Sequence, residues 1–143
     1  MNTEQQKETN RIIVCGVLGI ITMVYLALIG CVNVQHFNYK MNSDIGAEAV
    51  LARLIWNSGE MVPSTWISST ETRIIATPQL AALFYGWTGD MNLGLGLACC
   101  VMATGILLAI WCFMKKAGFR TESCLLMCVL SLALSGNMTI LEL

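Results

Sequence analysis

The chain has 143 residues, of which 56% are hydrophobic and 12% charged, and its formal net charge is −1. That charged share is about half the roughly 25% typical of a soluble domain, which excludes an ordinary water-soluble core as the place for so much apolar side chain. The few basic residues are spread along the chain, so there is no electrostatic case for nucleic acid as a partner.

Three long apolar stretches, 12–34, 91–114 and 123–141, each approach or exceed the length that crosses a bilayer as a helix. They predict an all-α polytopic membrane protein forming a single membrane segment over 1–143. The first stretch is too long for the core of a secretory signal, and no small-residue cleavage site follows it closely, so a retained span is expected. Leu28-Ile29-Gly30-Cys31 has the look of a lipoprotein cleavage box, which leaves a chain lipidated at Cys31 as a lesser alternative. Gly16, Gly19 and Gly30 would instead let other helices approach closely.

Between the first two stretches, the loop 35–90 holds both prolines, three of the four tryptophans and nearly half of the charges. Asn42 or Ser43 caps a helix that runs from Asp44 to Ser58 and ends at Gly59. Val50, Leu51, Leu54 and Ile55 form an apolar stripe, with Asp44, Glu48 and Arg53 largely off it. This predicts an amphipathic helix along the membrane surface, its acidic residues favoured near the N-terminus and Arg53 snorkelling to headgroups. A polar run from Ser64 to Arg73 follows, containing Trp66, Glu71 and Arg73. A second short surface helix then begins with Thr77 as cap and Pro78 at its first position and runs to about Tyr85. His36, the sole histidine, is expected to sit at the interface without a metal role.

Asp90 is the expected cap of the second span, 91–114. Gly94 with Ala98 and Gly105 with Ala109 place two pairs of small residues on its faces, and Trp87 and Trp111 bracket it as interfacial anchors. Lys115, Lys116 and Arg120 crowd the short turn 115–122, and Lys7 and Arg11 precede the first span. Short positive segments stay in the cytoplasm, so the N-terminus is expected inside and the 35–90 loop outside. The third span, 123–141, runs back out and brings Glu142 near the external face. All seven cysteines fall within the apolar stretches and read as small packing residues. Cys124 and Cys128 share a helix face, but no histidine lies near to complete a zinc set, so no metal site is expected.

The order of features in the loop is Asp44, the helix Ala47-Glu48-Ala49-Val50-Leu51-Ala52-Arg53-Leu54-Ile55-Trp56, the step Gly59-Glu60-Met61-Val62-Pro63, then Trp66, Glu71 and Pro78-Gln79-Leu80. This order resembles the amino-terminal part of GT-C superfamily membrane glycosyltransferases, including those that use polyprenyl-phosphate sugars. The resemblance covers roughly residues 8–115. Many such enzymes carry a Lys-Pro-Pro-Leu step where this chain reads Ala76-Thr77-Pro78-Gln79-Leu80.

The resemblance implies a fragment of an enzyme that moves a sugar from a polyprenyl-phosphate donor to an acceptor on the external face, completed by further transmembrane helices. It implies Asp44 as the catalytic carboxylate and Glu71, Arg73 and Trp66 as substrate-binding residues. No cofactor is fixed by it, although a divalent metal remains open for the full enzyme. The bland readings stand beside these: Asp44 serving only the helix dipole, Glu71 and Arg73 as a solvated pair, Trp66 as an interfacial anchor. The alternative function is a complete small multi-span protein that packs against a partner in the bilayer.

Overall fold

The computed structural model describes residues 3–35, 43–67 and 76–134. Among these the chain is all-helical: α1 Thr3–Gln35, α2 Ser43–Ser58, α3 Thr77–Thr88, α4 Met91–Lys116 and α5 Thr121–Leu134, with no strand. His36, Glu71, Arg73 and Glu142 lie outside the described residues.

Two helices are long and apolar enough to cross a membrane, α1 and α4. At 1.5 Å per residue the 26 residues of α4 reach about 39 Å, more than the roughly 30 Å of a hydrocarbon core. The apolar stretches 12–34 and 91–114 fall inside these helices. Of the stretch 123–141, the described part is the 14-residue α5, about 21 Å of helix, and the remainder lies outside the described residues.

The chain divides into two compact units, one from residues 1–29 and 103–142, the other from residues 30–102. The first unit has a small core in which Leu107 of α4 meets Cys128 and Leu132 of α5, with Tyr25, Leu26 and Ile29 of α1 packed against them. Cys124 and Cys128 are both buried, and all seven cysteines are free thiols. The α4–α5 turn is fixed by backbone chemistry. The Gly118 N–H donates to Lys115 O at 3.1 Å and the Phe119 N–H to Met114 O at 3.0 Å, a Schellman closure that needs the left-handed φ of +83° at Gly118. Arg11 of α1 forms an ion pair with Glu122 at the start of α5.

In the second unit, α2 packs on α3. Helix α2 stops where its sequence says it should. Gly59 takes φ +70°, and its N–H donates to Ile55 O at 2.9 Å, closing the last turn in a conformation a β-carbon would disfavour. The buried face of α2 differs from the expected stripe: Ile45, Ala52 and Ile55 are buried, Glu48 between them is half-buried, and Val50 is 54% exposed. The inward face is therefore turned by roughly a third of a helical turn from the most hydrophobic arc. Ala52 is fully buried on this face.

Helix α3 also starts one residue earlier than its threonine suggests. Ala76 is the N-cap, putting Thr77 first and Pro78 second, because the Gln79 side chain reaches back and its Oε1 accepts the Ala76 N–H at 3.0 Å. The helix continues to Thr88, past Tyr85. Asp90 caps α4 as expected, its Oδ1 accepting the Asn92 N–H at 2.8 Å and the Leu93 N–H at 3.3 Å.

Close packing in this unit rests on small residues. A β-carbon at Gly94 would lie 3.1 Å from Ala81 O on α3, and Ala98 is fully buried. Gly96 faces the Asn33 carbonyl at the end of α1 with no room for a side chain. The pair Gly105 and Ala109 is exposed, and Gly105 has open space around it.

Candidate functional site

The described candidate residues, Asp44 and Trp66, belong to the second unit. Asp44 sits in the first turn of α2 and is exposed. Negative charge is favoured at that end of a helix. One turn on, Glu48 is half-buried on the inward face.

The step from Gly59 to Pro63 is a built corner. The Glu60 N–H donates to Ser58 Oγ at 3.2 Å, and Glu60 Oε2 accepts the Ser64 N–H at 3.2 Å. Pro63 is fully buried, and its carbonyl accepts the Trp66 N–H at 2.9 Å. Gln79 ties this corner to α3: besides holding the Ala76 N–H, its Nε2 donates to Met61 O at 3.5 Å. A buried amide that joins two segments in this way leaves little freedom in how they meet. The motif steps at Gly59, Pro63 and Gln79 are thus the joints of the fold.

Trp66 is half-buried beside this corner, and Ile67 after it is 91% exposed. Among the described residues no hydrogen bond joins Asp44 to Trp66. Glu71 and Arg73 lie outside the described residues.

Arg53 is exposed and meets Tyr85 of α3. Its guanidinium stands 5.7 Å from the Tyr85 ring centroid and donates to Tyr85 Oη at 3.4 Å, so it clasps α2 to α3 from the exposed side. Nearby, the Trp56 ring lies directly over Gly86, where any β-carbon would collide with it. Sequence reasoning missed the Arg53–Tyr85 clasp and the Gln79 joint because each spans a loop. The only local signal was the Gln three residues after a helix start.

A second concentration of charge lies in the first unit. An open groove of about 540 Å³ is lined by Glu4, Lys7, Glu8, Arg11, Arg120 and Glu122. Three carboxylates meet three cations there, so the groove has no excess of either sign. The backbone N–H of Glu122, and then the Arg11 and Arg120 guanidinium groups, hold its carboxyl below the usual carboxylate range. Among the described residues no three His, Cys, Asp or Glu side chains come together to hold a metal ion. Comparisons with known protein families, with curated proteins and with solved structures find no match to this chain.

Proposed function

We propose that this chain is the amino-terminal membrane segment of a GT-C glycosyltransferase, which transfers a sugar from a polyprenyl-phosphate donor to an acceptor hydroxyl on the external face of the cell membrane. In this reading α1 and α4 cross the bilayer, a third span starts with α5, the N-terminus is cytoplasmic and the loop 35–90 is external. The observation that carries it is that the motif-bearing segments, the Asp44 helix, the Gly59–Pro63 corner and the Pro78-Gln79 start of α3, form one jointed body beside a helix of membrane length.

The chemistry asked of Asp44 is general-base catalysis. As the acceptor oxygen bonds to the anomeric carbon, the bond from that carbon to the donor phosphate breaks and polyprenyl phosphate leaves with the electron pair. The acceptor proton passes to the Asp44 carboxylate. An exposed carboxylate at a helix head has the access this needs. Trp66, Glu71 and Arg73 would hold acceptor or donor groups, and the remaining cations and the lipid groove would come from further spans.

The test is Asp44→Asn in the full-length enzyme, which keeps size and hydrogen bonding but removes the base. Transfer should be lost while membrane insertion and abundance are unchanged. Near-normal transfer would reduce Asp44 to a helix-dipole role and remove the main support for the enzyme reading.

A second reading, a small multi-span protein that packs against a partner's helices, is favoured by one observation. Gly16, Gly19 and Gly30 of α1 have nothing within 4 Å of the position a β-carbon would take, so a partner helix has room to approach.

A further inference from the structure

Helix α3 alone among the five helices carries no charged residue. It is also too short to span, its 12 residues reaching about 18 Å. Its two sides differ sharply. Pro78, Gln79, Ala81 and Ala82 are buried, Tyr85 meets Arg53, and Gly86 lies under Trp56, so α2 occupies one side. On the other side Leu80, Leu83, Phe84 and Trp87 form an apolar arc roughly 100° wide. Within it, Leu83 is 59% exposed and Trp87 84% exposed, while the Trp87 ring stands edge-on to Phe84 at 6.0 Å.

We infer that this outer arc of α3 is the chain's lipid-interface contact, and that α2 rides on the opposite side of α3, away from lipid. The inference rests on the membrane reading above. Lipid, not protein, is the occupant because of where the arc is anchored. Only Gly89 and Asp90 separate α3 from α4, and Gly94 of α4 packs directly on Ala81 and Tyr85, so α3 cannot move far from the end of a membrane-length helix. A charge-free face that ends in tryptophan, fixed at that height, meets the boundary of headgroups and acyl chains, where such a helix buries about 5–10 Å deep. The sequence pattern gives a surface role to both α2 and α3, and the exposed arc of α3 is where the inference places the lipid contact.

Four tryptophans make the test direct. Versions of the full chain that each keep one tryptophan, with phenylalanine at the other three positions, are reconstituted in phosphatidylcholine vesicles carrying bromine or nitroxide at shallow or deep acyl positions. Trp111, near the other end of α4, reports whether the chain is inserted. Trp87 should lose emission to shallow quenchers more than to deep ones, and Trp66 should lose little to either. If Trp111 is quenched and Trp87 is not, the inference is overturned while the membrane reading survives. In that case, Trp87 shielded from an aqueous quencher would mean a protein partner covers the arc, and Trp87 open to it would mean the arc faces water. If Trp111 also escapes quenching, insertion itself fails and the inference falls with it.

Discussion

Gly96 and Gly105, about 2.5 turns apart on α4, show how little a residue type says without its surroundings. Adding a methyl to a helical glycine gains about 1 kcal/mol from propensity alone. At Gly96 that methyl would run into the Asn33 carbonyl, a backbone atom that cannot swing away, and forcing such contacts costs about 1–3 kcal/mol. Gly96→Ala should therefore lower the melting temperature of the detergent-solubilised protein, whereas Gly105→Ala, with open space around it, should leave it unchanged or raise it. Equal shifts at both positions would show that α1 and α4 do not meet there. Glu122 supports a pH prediction of definite sign. Its carboxyl is held below its ordinary value of 4.5, so the stability it contributes is present above that value and is lost as pH falls through the depressed one. Acid should loosen the Arg11–Glu122 junction, and Glu122→Gln should remove that part of the pH dependence in melts from neutral to strongly acidic buffer.

At the scale of elements, the Gln79 amide ties the corner after α2 to the start of α3, beside the Arg53–Tyr85 clasp. Gln79→Leu would leave the Ala76 N–H without its acceptor in a buried position, and an orphaned buried group costs about 1–3 kcal/mol. We expect faster proteolysis between α2 and α3 in this variant, with the helix content of the rest unchanged; cleavage at the wild-type rate would show that the joint does not hold the pair. The helix limits were legible because they are set locally: Gly59 ends α2 with its left-handed φ, and Asp90 starts α4 with its own side chain. The buried face of α2 was not legible, because Val50 and Leu54 outrank the fully buried Ala52 in hydrophobicity. Ala76 as a cap was hidden for a related reason: the residue that makes the cap is Gln79, three positions away. In the candidate site, the place of Asp44 at a helix head could be read from its neighbours, while the Arg53–Tyr85 clasp needed two helices to be brought together first.

In the proposed membrane reading, what decides most for the whole molecule is which side of the bilayer each connection faces. The positive residues Lys115, Lys116 and Arg120 around the α4–α5 turn argue for the cytoplasm, and the proposed enzyme needs the corner after Gly59 outside, where the acceptor is. Ile67, 91% exposed, and the exposed turn around Gly118 are suitable places for reporters. Position 118 requires a left-handed φ, so the neighbouring exposed Ala117 is the better site for a thiol. In a background with the seven native cysteines replaced by serine or alanine, Ile67→Cys should react with a membrane-impermeant maleimide in intact cells. Ala117→Cys should react only after permeabilisation. Reversed labelling would put the Asp44 helix in the cytoplasm, away from an external acceptor, and would leave the partner-packing reading as the better account. Labelling of both from outside would mean that α4 does not cross the membrane, and neither reading would stand.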